Sequence, residues 1–126
     1  MIREYKPEDY TMLCLWWDAQ HFVRPPQAML PATGYVCEEI AAGFLYLTNS
    51  PCVWMEWVVA DPTAEKTRRN NAINELILHI CAQAKFTEAI MVFTSTPNFP
   101  FAHRIKKLGF IDAADGKKSA NYIKVL

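Results

Sequence analysis

Apolar and polar positions along this chain follow two rhythms, and the switches between them mark out its elements. Ile2 to Tyr5 alternates as a short opening strand, and Pro7 with Glu8 and Asp9 suits the first turn of a helix. Tyr10, Leu13, Cys14 and Trp17 then recur at intervals of three and four, which predicts an amphipathic helix to about Phe22, broken by Pro25 and Pro26. Adjacent helical positions do not share a face, so either one of Trp16 and Trp17 contacts the loop from His21 to Pro31 or both rings pack under the prolines. Gln27 to Leu30 allows a short second helix. Tyr35 to Glu38, Ala41 to Thr48 and Cys52 to Ala60 read as three strands joined closely enough to form an antiparallel meander.

After Asp61-Pro62 the period lengthens. Ala72, Ile73, Leu76, Ile77, Ile80, Cys81 and Ala84 draw one apolar stripe, the strongest helical signal in the chain. Ala89 to Thr94 follows as a strand, and a strand–helix–strand sequence of this length predicts a right-handed crossover between parallel neighbours. Phe101 to Leu108 forms a further helix closed by Gly109, and the tail carries two strands about an Asp115-Gly116 turn. The order is β-α-α-β-β-β-α-β-α-β-β, an α/β class with a mixed sheet.

At 126 residues the chain has room for one domain, residues 1–126, and its 52% apolar content is ample for one core. Thirteen basic residues balance thirteen acidic ones, so an anion site has to be local. The same balance, with no repeated basic-aromatic pattern, argues against nucleic acid as a partner. The apolar run from Cys52 to Ala60 contains Glu56 and falls far short of a bilayer span, and Met1 to Tyr5 has no leader-like apolar region. Cys14, Cys37, Cys52 and Cys81 are scattered within apolar patterns, the arrangement of buried free thiols rather than of a metal site or disulfide framework. A reduced, cytoplasmic protein is the expectation.

Two segments sharpen the picture. Met55-Glu56-Trp57-Val58-Val59-Ala60-Asp61-Pro62 is followed by a polar loop and by Arg68-Arg69-Asn70-Asn71-Ala72-Ile73 at the start of the long helix. Further on comes Asn98-Phe99-Pro100-Phe101-Ala102-His103-Arg104-Ile105-Lys106-Lys107-Leu108-Gly109-Phe110. Together with the element order they resemble the GCN5-related N-acetyltransferase (GNAT) superfamily. There, a strand ending in Val leads to Arg/Gln-x-x-Gly-x-Gly/Ala, and a later helix reads Asn-x-x-Ala-x-x-Leu/Phe-Tyr-x-Lys-x-Gly-Phe. Arg68, Asn98, Lys107 and Gly109-Phe110 match. Asn71 and Ile73 stand where the loop has small residues, and Ile105 stands at the tyrosine. The loop from Pro62 to Arg68 reads two residues longer than the family's.

The resemblance implies acetyl-CoA as cosubstrate and a small-molecule or protein amine as acceptor. It places the CoA pyrophosphate on free backbone N–H groups where the loop becomes the helix, at Arg68, Arg69, Asn70, Asn71, Ala72 and Ile73. Asn71 tolerates the left-handed backbone that a glycine there would adopt. Val58 and Val59 are expected along the acyl arm, with Asn98 nearby. Cations at Lys66, Arg68 and Arg69 oppose the helix dipole, a conflict that a docked anion would relieve.

Glu56 is the candidate general base, with Val58 on its face by strand alternation. Trp54 and Trp57 beside it would withdraw the carboxylate from water and raise its pKa. With Ile105 at the tyrosine position, Tyr122 and His103 are the remaining candidates for a proton donor, and Arg24 could meet an acidic acceptor. Two functions stay open: direct acetyl transfer to an amine, and a non-catalytic protein-binding domain that has given up CoA. The oligomeric state is open as well, a homodimer included.

Overall fold

In the computed structural model of the protein, residues 1–113 and 120–126 are described, and the Asp115-Gly116 turn lies outside the described residues. Strands β1 (Ile2–Glu4), β2 (Gly34–Cys37), β3 (Ala41–Tyr46) and β4 (Cys52–Ala60) form the expected antiparallel meander. Strand β5 (Met91–Ser95) joins β4 in parallel, as the crossover pattern requires. Strands β6 (Ile111–Asp112) and β7 (Asn121–Val125) complete one mixed sheet in the order β1-β2-β3-β4-β5-β7-β6.

Among the described residues three helices cover the sheet: α1 (Tyr10–Ala19), α2 (Lys66–Phe86) and α3 (Phe99–Lys107). The short second helix is only one 3-10 turn, Gln27–Met29, because Pro26 and Pro31 leave it no room to extend. Helix α1 stops before Phe22. His21 takes a left-handed φ of 60°, and the Phe22 amide turns back to the Trp17 carbonyl at 2.9 Å, a C-terminal cap.

Two cores lie on opposite faces of the sheet. Leu76, Ile77 and Ile80 of α2 and Ala102 and Ile105 of α3 pack with Leu45, Met55 and Val92 on one face. On the other, α1 places Leu13, Cys14, Trp16 and Trp17 against Val36, Ala42, Phe44 and Val59. Both tryptophans are therefore buried, at 6% and 0% exposure, although adjacent positions point in different directions from one helix. The apolar arc of α1 is wide enough to hold both, because Leu13 and Cys14 extend it on the far side. Cys14, Cys37 and Cys81 are buried and Cys52 half-buried, all as free thiols. Among the described residues no helix is long and apolar enough to cross a membrane.

Strand β4 carries one irregularity that sequence alternation did not disclose. Ala42 faces Val59 while Phe44 faces Glu56, so β4 holds one residue more than β3 across this stretch. The extra residue is a β-bulge at Trp57, whose φ of 61° lies in the left-handed region. The bulge flips the alternation of the strand. Met55, Val58 and Ala60 pack on the α2 face, whereas Glu56 (through its partner Phe44), Trp57 and Val59 belong to the α1 face. Val58 and Glu56 are thus on opposite faces, a correction to the simple two-residue count.

Candidate functional site

Where β4 and β5 part, a cavity of about 650 Å³ opens. The parallel pairing covers Cys52 with Met91, Val53 with Val92 and Trp54 with Phe93, then ends although β4 continues to Ala60. From there the ties run through side chains, the first being the buried Thr94 hydroxyl, which donates to the Met55 carbonyl at 2.7 Å. Beyond it the strands diverge at their C-terminal ends. Gln20 and Phe22 line the cavity from the α1 side, and Arg69, Ile73, Phe101 and Arg104 line it from α2 and α3. Because those elements cover opposite faces, the cavity runs through the sheet.

Glu56 sits at the fork. Its carboxylate accepts from the Ser95 amide at 3.3 Å, and burial pushes its pKa up to about 7, with that single hydrogen bond opposing the shift. The expected withdrawal from water is present, and the bulge puts Trp57 on the same face of the sheet. Trp57 is held there by its indole N–H, which donates to the Tyr46 hydroxyl at 2.9 Å; that hydroxyl donates in turn to the Met29 carbonyl. Gln20 fixes the end of β4 by donating to the Ala60 carbonyl at 3.2 Å.

The start of α2 differs from expectation. The helix begins at Lys66, so the last three residues of the stretch read as loop, Lys66 to Arg68, lie in its first turn, and the amides of Asn70 to Ile73 donate within the helix. They are not free for an anion, and Asn71 has no positive φ. Two of the amides that the helix leaves unpaired are answered from within: the Glu65 carboxylate accepts from the Thr67 and Arg68 amides at 3.1 and 2.9 Å. A carboxylate thus already meets the dipole that the basic residues oppose.

Of the residues proposed for the cosubstrate, Val58, Val59, Arg69, Asn70, Ile73 and Asn98 line the cavity. Arg68 and Asn71 are exposed and outside it, and Ala72 is buried in the core. Asn98 also caps α3, its side-chain oxygen accepting from the Phe101 amide at 2.9 Å. His103 does not line the cavity and Tyr122 is buried in the core. Arg24 is paired with Asp18 at 2.5 Å and so is not a free cation.

Sequence reading missed Arg104. Its guanidinium reaches from α3 to α2, donating to the side-chain oxygens of Asn74 and Asn70 at 2.8 and 2.9 Å and to the Asn70 carbonyl at 3.3 Å. A signal was available, since α3 contains no acidic residue that could pair with Arg104 along the helix.

No protein-family model and no curated protein matches this sequence. Solved structures do match it in fold. N-acetylglutamate synthase from Neisseria gonorrhoeae, complexed with coenzyme A and L-arginine, superposes with a TM-score of 0.79 at 14% identity; all of this chain covers 33% of that one. Ard1 from Thermoplasma volcanium gives 0.77 at 16% identity, with 100% of this chain and 97% of the other covered. An acetyltransferase of the GNAT family from Staphylococcus aureus gives 0.73 at 11% identity, covering 100% and 98%. The chain has the GNAT acyl-CoA N-acyltransferase fold, and spans about a third of the length of the synthase.

Proposed function

We propose that this protein is an acyl-CoA-dependent N-acyltransferase that passes an acetyl group directly to an amine, with Glu56 as general base. The observation that carries the reading is a half-buried carboxylate, its pKa near 7, at the mouth of the gap between two diverging parallel strands. A base with that pKa is about half ionised at neutral pH and holds a proton well enough to accept one from an ammonium. The fold shared with acetyltransferases supports the reading.

The acyl arm is expected along the edge of β4 that β5 abandons, beside Val58 and Val59. An extended thioester arm can add to such an edge as a further strand. The acceptor, a small-molecule or protein amine, then enters from the Gln20–Phe22 side. Glu56 takes a proton from the ammonium, and the free amine attacks the thioester carbonyl carbon. A C–N bond forms as the C–S bond breaks. The electron pair leaves on sulfur, and the thiolate, a fairly good leaving group, takes up through water the second proton that the acylated nitrogen gives off.

One observation favours a second reading. Glu65 fills the N-terminus of α2, so the amide seat for a pyrophosphate is closed, as in a protein-binding domain that no longer uses CoA. Melting with and without acetyl-CoA separates the two, because a ligand at 100 times its Kd adds about 2.7 kcal/mol of stability. Glu56→Gln is expected to lower kcat by about 10²–10⁴ at pH 7 and to leave acetyl-CoA affinity unchanged. The parent rate should rise through pH 7 as the carboxylate ionises. A variant with full turnover removes Glu56 from the role of base.

A further inference from the structure

Four of the five arginines of this protein fall into two classes, and the fifth, Arg68, is exposed outside the cavity. Arg3 is clamped by Asp9 and Glu39, and Arg24 by Asp18, so their charges are neutralised locally. Arg69 and Arg104 line the cavity and, among the described residues, form no ion pair. Every hydrogen-bond acceptor they use is neutral. Arg69 donates to the Pro62 and Ala64 carbonyls, both at 3.2 Å, and Arg104 to the two asparagine side chains and one backbone carbonyl.

Holding a partly buried guanidinium with amides rather than carboxylates keeps its orientation fixed and its field intact. The two like charges also act on each other: burial and then Arg69 lower the Arg104 pKa. An unfavourable cation pair facing a cavity calls for an anion to bridge it, and a guanidinium fork suits phosphate oxygens.

We propose that Arg69 and Arg104 together form a side-chain seat for the phosphate end of a phosphopantetheine ligand, in place of the helix amides that Glu65 and the α2 ladder have closed. Asn70 and Asn74 are positioning residues that hold Arg104 toward the cavity. The inference rests on the acyl-CoA reading for its ligand, but it concerns binding and not transfer. The seat recognises a phosphate ester on the arm, whether the arm ends there or continues into a nucleotide.

Calorimetric titration with pantetheine, 4′-phosphopantetheine and CoA tests it. Arg69→Gln and Arg104→Gln should each weaken the two phosphorylated ligands by about ten- to a hundred-fold while leaving pantetheine unaffected. Equal affinity of the parent for both phosphorylated ligands places the recognised group at the first phosphate; tighter binding of CoA extends the seat to its pyrophosphate. Since Arg104 also bridges two helices, Asn74→Asp provides the safer variant. It keeps the hydrogen bond and adds a carboxylate, so melting temperature should hold or rise while phosphate-dependent affinity falls. A purely structural Arg104 predicts the same effect on melting temperature with no change in affinity.

Unchanged affinity in both arginine variants, an equal loss for pantetheine, or no binding of any of the three ligands by the parent overturns the proposal. Arginine-dependent CoA binding without acetyl transfer to any amine leaves the seat standing and removes the enzyme reading instead.

Discussion

Strand β4 begins and ends in different surroundings. Over residues 52–54 it pairs with β5, the pairing with β3 beginning at Trp54, and its inward side chains Val53 and Met55 are almost wholly buried. From Glu56 onward it loses β5, takes on an extra residue at Trp57 and lines a cavity. The first stretch obeys the rules of a central strand. The second departs from several of them: a bulky residue with positive φ, an unpaired edge and a carboxylate short of water, each of which costs stability. Such costs persist where the surrounding fold over-determines them. Here the regular end, the Thr94–Met55 bond and the Trp57–Tyr46 anchor hold the irregular end in place.

If that division is sound, neighbouring residues on β4 should respond differently to mutation. Met55→Ala should have the largest effect on stability, about 2–5 kcal/mol by chemical denaturation, since the side chain is fully buried in the α2 core. Acetyl-CoA affinity at a temperature where the variant is folded should stay near that of the parent. A matching loss of affinity would show that the two ends are not separable.

A smaller effect is expected at Glu56. Its folded pKa, about 7, is raised above the ordinary 4.5, so the folded state holds the proton more tightly than the unfolded chain. The stability tied to this proton is fully present below pH 4.5 and declines as pH rises to about 7. Glu56→Gln abolishes that decline. The variant should match the parent near pH 4 and exceed it at pH 8 in thermal melts, by less than a core truncation because the carboxylate is only partly withdrawn from solvent. Parallel melting curves across this range would mean that Glu56 is not desolvated.

The smallest effect belongs to the bulge anchor. Tyr46→Phe removes the acceptor of the Trp57 indole and should cost about 0.5–1.5 kcal/mol. If the anchor holds the bulge, the variant should also shift the Trp57 fluorescence and the pH midpoint of Glu56. A stability loss with neither shift would confine Tyr46 to packing.

Much of the fold was legible in the chain because short-range patterns carried it. The 3.6-residue stripe from Ala72 to Ala84, the strands around Asn49-Ser50-Pro51 and the Gly109 stop after α3 are local signals, and each element stands where its pattern lies. The crossover from β4 to β5 followed from chain connectivity alone. The site was legible only in part. Glu56 could be singled out as a charge inside an apolar run, and Asn98 and Arg69 by their motif positions. The start of α2 was misplaced because Glu65 and Lys66 read equally well as loop; a side-chain cap three residues long decides the matter, and sequence pattern does not resolve it.

The sequence by itself determined the order of elements, the mixed sheet, the parallel crossover and the acidic residue on the central strand. These depend on periodicity, turn chemistry and connectivity, which operate over a few residues. Only the tertiary structure decided that Trp57 bulges and turns Glu56 away from Val58. It also decided that the α2 amides are closed, and that Arg104 crosses to Asn70 and Asn74. Each of those outcomes is set by partners distant along the chain: Phe44 opposite Glu56, Tyr46 beneath Trp57, two asparagines about thirty residues from an arginine. Periodicity carries no information about such pairs. They form only when the sheet brings the segments together, and the cavity exists only where β4 and β5 fail to stay paired.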